Sequence, residues 1–270
     1  MRLGVIADVH GNEVALRAVL DDAAGCQIDR WWVLGDLVLS GPRPAETLAL
    51  LLSLPGVEML RGNTDRYVLT GEQPAPHATA ADAAGRVDLV ERYGLMAAGI
   101  GWTRGVLTQA GLLDALTSLP GELRLDRPGG PRVLGVHASP GADDGPGIEP
   151  GRPDGQLSRL LAGCGADIVI GGHTHSRTDR MIGRLRALNP GSTGIPERPG
   201  EAGWLLLDFD DAPGRPGVPP ASPGAADVRI EHRVVPFDID AVVRDLGARL
   251  HPNAEFLAAV LTGRRGQRKN

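Results

Sequence analysis

The chain opens on Leu3-Gly4-Val5-Ile6-Ala7, a short apolar run that stops at polar residues, and residues 12–24 then repeat their apolar positions at helical spacing. This strand-then-helix pattern returns. Trp31-Trp32-Val33-Leu34 runs into Gly35-Asp36, Val57-Glu58-Met59-Leu60 into Gly62-Asn63, residues 132–136 into His137, and residues 167–170 into Gly171-Gly172-His173. Five apolar strands are thus predicted, each ending on a residue able to bind a ligand. In open α/β sheets ligands bind beyond the carboxyl ends of the strands, where loops converge on a rigid frame, so these polar residues are expected to share one rim. The adjacent Trp31 and Trp32 point to opposite faces of their strand, which fits a sheet buried between two layers.

Residues 66–118 break this rhythm with helical patterning over 78–98 and 108–116, and read as a cap-like helical insertion over the rim that shapes access. Further on, residues 204–209 and 228–235 read as strands. The Pro- and Gly-rich residues 211–226 between them are too poor in bulky apolar groups to pack, and are expected to form a mobile loop. A helix over about 240–262, interrupted near Pro252, precedes a basic tail, 263–270, expected to be disordered. Residues 1–262 are accordingly expected to form a single domain.

Composition narrows the classes. Apolar residues make up 42% of the 270, yet no run approaches the roughly 18 needed to cross a membrane. The start also lacks a basic-then-apolar leader, so no membrane partner and a cytoplasmic location are expected. Cys26 and Cys164 have no paired spacing and suggest neither a disulfide nor a thiolate metal site. The net charge is −5, only 3% of residues are aromatic, and no basic groove-like run occurs, so no nucleic-acid partner is expected. An anionic substrate would need a local positive site.

Candidate chemistry lies at the strand ends. Asp8 and His10, two apart, face the same side and can grip one ion with a carboxylate and an imidazole. Asp36 adds a carboxylate that can bridge two ions, and Asn63 an uncharged amide oxygen, although Gly-Asn is also ordinary turn chemistry. Four of the seven histidines, His10, His137, His173 and His175, directly follow strand-like runs, which scattered placement does not explain. Asn12 reads either as a helix N-cap or as a phosphate contact.

In this order, Asp8-Val9-His10, Gly35-Asp36, Gly62-Asn63-Thr64-Asp65, His137 and Gly172-His173-Thr174-His175 resemble the calcineurin-like metallophosphoesterase superfamily. Residues 35–42 and Asn189-Pro190-Gly191-Ser192 look like its small bacterial phosphodiesterase branch. The resemblance covers roughly residues 1–209 and implies an α/β fold, a four-layer α-β-β-α sandwich. It further implies two divalent ions, Mn(II) preferred with Fe or Zn possible. One would be held by Asp8, His10, Asp36 and His175, the other by Asp36, Asn63, His137 and His173. The reaction implied is in-line attack of a metal-bridging hydroxide on a small phosphate ester. Asp36, Asn63, Thr64 and Asp65 would form the catalytic loop pair, with Asp65 orienting the turn rather than binding metal.

One position departs from the family pattern. Many members carry a histidine after the Gly-Asn pair, where this chain has Thr64, whose hydroxyl hydrogen-bonds but is no general acid near pH 7. A preference for diesters over alkyl monoesters is therefore expected. Arg66 and His77, with Arg61 and Arg104, are candidates to reach the substrate from the insertion. The alternatives at the same site are a phosphomonoesterase, a protein phosphatase or a nucleotide hydrolase; from a different class, the fold could serve as a non-catalytic protein-binding scaffold.

Overall fold

The computed structural model describes residues 1–74, 81, 84, 86–209 and 228–264. The expectations for His77, the 211–226 loop and residues 265–270 of the tail lie outside the described residues. Its elements run β1 (Arg2–Ile6), α1 (Glu13–Ala23), β2 (Arg30–Leu34), α2 (Pro44–Leu52), β3 (Val57–Leu60), α3 (Asn63–Thr70), α4 (Val87–Gln109) and α5 (Asp114–Thr117). They continue with β4 (Glu122–Leu125), β5 (Val133–Val136), α6 (Asp154–Leu160), β6 (Ile168–Ile170), β7 (Thr178–Ile182), β8 (Leu185–Asn189), β9 (Glu201–Phe209), β10 (Val228–Pro236), α7 (Ile239–Ala248) and α8 (Ala254–Leu261).

Two five-stranded mixed sheets result, ordered β10-β9-β1-β2-β3 and β4-β5-β6-β8-β7. In the first, β1, β2 and β3 are parallel, and β9 closes antiparallel on β1 with β10 outside it. In the second, β5, β6 and β8 are parallel, flanked by antiparallel β4 and β7. The inward faces pack on each other through Leu3, Val5, Trp32, Leu34, Ile168, Ile170 and Leu205. The outer face of the first sheet, with Trp31, Val33 and Trp204, meets Leu16 and Val19 of α1 and Leu48 and Leu51 of α2. The outer face of the second meets Leu157 of α6 through Leu134, Val136 and Val169. This is the four-layer arrangement, and it explains the uninterrupted apolar runs. Strands covered on both faces have no solvent side on which to place polar residues. Trp31 and Trp32 do divide between the two cores.

Part of the 66–118 segment, which its sequence suggested as a cap over the rim, is described. Its long helix spans Val87–Gln109 and sends Ile100 and Leu107 into the core outside the first sheet, with Leu116 beside them. It thereby thickens the helical layer next to α2 and α3. The C-terminal helix is interrupted as expected, with Pro252 between α7 and α8, which bury Val242, Leu246, Leu257 and Leu261 against each other.

Candidate metal centre

The parallel strands deliver their following residues to one rim, and all but β8 supply a candidate ligand there. Asp8 and His10 follow β1, Asp36 follows β2, Asn63 opens α3 after β3, His137 follows β5, and His173 and His175 follow β6. Backbone bonds carry the loops together beyond the strands: Asp8 N donates to Gly35 O (3.1 Å), His10 N to Asp36 O (2.8 Å), and Gly172 N to His137 O (2.8 Å). The turns are sharp. Asp8, His10, Asp36, His173 and His175 all sit at φ between 51° and 66°, the left-handed region that costs a residue with a Cβ roughly 1–3 kcal/mol. Such local strain persists only where the surroundings overdetermine it, and here it coincides with the polar cluster.

Two glycines make room for the carboxylates. A Cβ on Gly62 would lie 2.2 Å from Asp36 Oδ1, and one on Gly172 would lie 2.8 Å from Asp8 Oδ2. Asp36 Oδ1 in turn accepts the backbone N–H of Thr64 (2.9 Å), and Asp8 accepts that of His173 (2.9 Å to Oδ1). The buried Asp65 accepts from Leu37 N (2.9 Å) and Gly62 N (3.0 Å), tying the loop after β2 to the turn after β3.

The tautomers of the histidines follow from their partners. A carbonyl oxygen only accepts, so His10 Nδ1, which lies 3.0 Å from Leu39 O, carries its proton there; His175 Nδ1 does the same toward Ile195 O at 2.8 Å. Their Nε2 atoms, 3.1 Å apart, are left as two lone pairs facing each other. His173 repeats the arrangement. Its Nε2 donates to Gly145 O (3.0 Å), which leaves the Nδ1 lone pair 3.1 Å from the acceptor oxygen of Asn63. Acceptors pointed at acceptors in a buried site repel unless a cation lies between them, so the residues fit divalent metal ions.

Electrostatics agree. Burial pushes His10, His173 and His175 down, His175 to about 3, so they stay neutral and able to donate lone pairs. Burial also raises the Asp8 carboxyl to about 8, with the Asp36 charge adding to it and His137 opposing. Burial works against ionising both members of the Asp36–His137 pair, yet each holds the other charged: His137 Nε2 lies 3.2 Å from Asp36 Oδ1, its imidazole is raised to about 10, and the Asp36 carboxyl is depressed. The site is short of positive charge. Among the described residues, two trios bring donor atoms within 4.8 Å of one another: Asp8, His10 and His175, and Asp8, Asp36 and His137.

A family model for the calcineurin-like phosphoesterase superfamily domain matches residues 1–212. The chain belongs to this superfamily. Calcineurin-like phosphoesterases are generally hydrolases and typically bind divalent metals, for which this rim has candidate ligand groups. The chain is 33% identical over 138 residues to an uncharacterized protein of Methanocaldococcus jannaschii, a match covering 51% of this chain and 49% of that one. It thus spans about half the length of that curated relative. Its fold matches the crystal structure of a metallophosphoesterase from Sphaerobacter thermophilus, with a TM-score of 0.67, 24% identity, and 97% and 98% of the two chains covered. It also matches a hypothetical protein from Pyrococcus horikoshii, with a TM-score of 0.72, 21% identity, and 96% and 97% covered.

Other sequence candidates have different surroundings. Asn12 caps α1, its Oδ1 accepting from Ala15 N, and gives its Nδ2 to Gly194 O (2.8 Å), so its side chain is committed at both ends. All three guanidinium nitrogens of Arg66 meet carboxylates, of Asp143 (2.9 and 3.0 Å) and of Glu72, so its guanidinium is engaged within the chain. Asn189 is a scaffold: its buried amide donates to Gly172 O (2.8 Å), Thr174 Oγ1 (3.0 Å) and Ile148 O (3.2 Å), supporting the loop that carries His173 and His175. Sequence reasoning missed the carbonyls of Leu39, Ile195 and Gly145, because any residue type can supply a backbone oxygen. The one signal that bears on Gly145 is its glycine, at φ +88°.

Proposed function

We propose that this chain is a phosphoric ester hydrolase working with two divalent ions, and that it favours diesters. The observation that carries the reading is the set of histidine lone pairs aimed at one another and at the Asn63 oxygen, a geometry that bound cations would relieve. Asp8, His10, Asp36 and His175 would hold one ion, and Asp36, Asn63, His137 and His173 the other. Mn(II) is the preferred occupant, since the donors are oxygen and nitrogen without thiolate. Divalent ions bound there supply Lewis acidity and a nucleophile at neutral pH, and their charge draws a phosphate to an otherwise acidic chain.

The chain's own residues set the rest. The left-handed turns hold the ligands before substrate arrives, and Asp65 keeps the two catalytic turns in register. Thr64, in the first turn of α3, has a buried hydroxyl without a hydrogen-bond partner. A threonine hydroxyl cannot protonate an alkoxide near pH 7. The reaction is therefore best served by esters whose leaving group departs without full protonation, which supports a small phosphodiester as substrate.

The test compares a chromogenic phosphodiester with its monoester, using metal-stripped protein with and without Mn(II). Turnover that requires metal and favours the diester is expected. Metal-dependent turnover favouring the monoester would overturn the diester preference, and no turnover with any divalent ion would overturn the enzymatic reading.

A further inference from the structure

The ion pairs around Arg66 form one link in a closed ring that ends on a candidate ligand. Helix α3 begins at Asn63, and Arg66 and Tyr67 lie three and four residues on, so all three project from neighbouring positions of one helical face. Arg66 grips Asp143 with two parallel bonds, Nε to Oδ2 at 2.9 Å and Nη2 to Oδ1 at 3.0 Å. Tyr67 donates its hydroxyl to Asp144, and the Arg66 guanidinium stands 5.0 Å from the Tyr67 ring. Asp144 Oδ1 accepts the N–H of Gly145 (2.7 Å). Gly145, in a left-handed conformation at φ +88°, turns its carbonyl to His173 Nε2 at 3.0 Å. His173 Nδ1 closes the ring, 3.1 Å from Asn63 Oδ1 on the helix where the ring began.

The ring makes one helix responsible for two donors. Asn63 is presented directly. His173 is presented indirectly, because the Gly145 carbonyl decides which ring nitrogen carries the proton, and thus that Nδ1 faces the centre with a free lone pair. Partly exposed ion pairs contribute little to stability, so gathering Asp143, Asp144 and Glu72 around one guanidinium is poorly explained as a stabilising device. A forked arginine–carboxylate pair does, however, fix geometry, and a loop containing Gly141, Gly145 and Gly147 needs fixing if its carbonyl is to hold an imidazole in place.

We propose that Arg66, with Asp143, is a positioning residue that sets the tautomer and orientation of His173, and through it the affinity of the ion shared with Asn63 and His137. The proposal rests on the two-ion reading above. It gives the engagement of Arg66 by carboxylates a function.

The experiment has two readouts in the same proteins. Nitrogen-15 NMR of the histidine rings in metal-free protein reports the tautomer of His173, and titration with Mn(II) followed by electron paramagnetic resonance reports each ion's affinity. In the wild type, His173 is expected as the Nε2–H tautomer, with two Mn(II) bound. In Arg66→Ala the tautomers are expected to mix, and one ion to bind about 10–100-fold more weakly while the other keeps its affinity. Asp143→Asn, which preserves size but loses the fork, is expected to do the same and serves should Arg66→Ala not fold. The double variant should be no worse than either single change. A His173 signal unchanged in both variants would overturn the proposal, as would equal weakening of both ions. A wild type that binds no Mn(II) would instead overturn the two-ion reading, while the His173 signal still decides the role of Arg66.

Discussion

Asp8, Asp36 and the four rim histidines were legible as a group because each follows an apolar strand, and strand ends are where an α/β sheet gathers its polar residues. Thr64 was legible as a departure, and its prediction belongs to this scale. Thr64→His places an acid beside Asp36 and is expected to raise monoester turnover relative to diester turnover, by about tenfold or more. A ratio of the two rates equal to that of the wild type would remove Thr64 from the account of specificity. Arg66 was not legible. A sequence shows its charge and its nearness to Asn63, but not that Asp143, 77 positions away, takes it up.

At the scale of elements, the strand-to-loop turns were anticipated and their conformation was not. Left-handed aspartates and histidines carry no mark in the sequence, since glycine or asparagine is what such a turn ordinarily selects. The short strands β4 and β7 also escaped notice: Glu122–Leu125 and Thr178–Ile182 are edge strands with charged residues among their apolar ones, and lack a continuous apolar run. The turn after β3 offers a test. Gly62→Ala suits the backbone there (φ −90°, ψ 175°), but drives a methyl into Asp36. The variant is expected to keep its circular dichroism spectrum and to lose Mn(II) affinity by more than about tenfold. Unchanged affinity would mean that the close approach of the two turns is not what holds Asp36.

At the scale of the whole molecule, two reservoirs of stability can be told apart. Metal ions that bind only the folded chain should stabilise it by about 2.7 kcal/mol for each site at a hundredfold excess over its Kd, so the melting temperature should rise with Mn(II) and fall back with chelator. A chain indifferent to both would not be held by its ions. The second reservoir is a buried histidine. His251, after α7, is buried edge-on against Trp102 of α4, and burial lowers its pKa to about 4. The folded chain refuses a proton that the unfolded chain accepts near 6.5, so the stability His251 contributes is complete above that pH and is lost as pH falls toward 4. His251→Asn keeps an acceptor for Asn253 N and removes the titration. Its urea midpoint, measured metal-free, should decline less steeply than that of the wild type between pH 6.5 and 4; an equal decline would place the acid sensitivity elsewhere.

Apolar patterning determined the strand-then-helix repeat, the burial of the central strands on both faces, and which polar residues stand at the strand ends. These depend on periodicity and on neighbours in the chain, which a sequence displays. The tertiary structure decided that the histidine lone pairs converge, that the long helix of the 66–118 segment packs outside the first sheet, and that Arg66 pairs with carboxylates of a distant loop. Those outcomes depend on backbone carbonyls, left-handed turns and partners far along the chain, and no residue letter records where a carbonyl points.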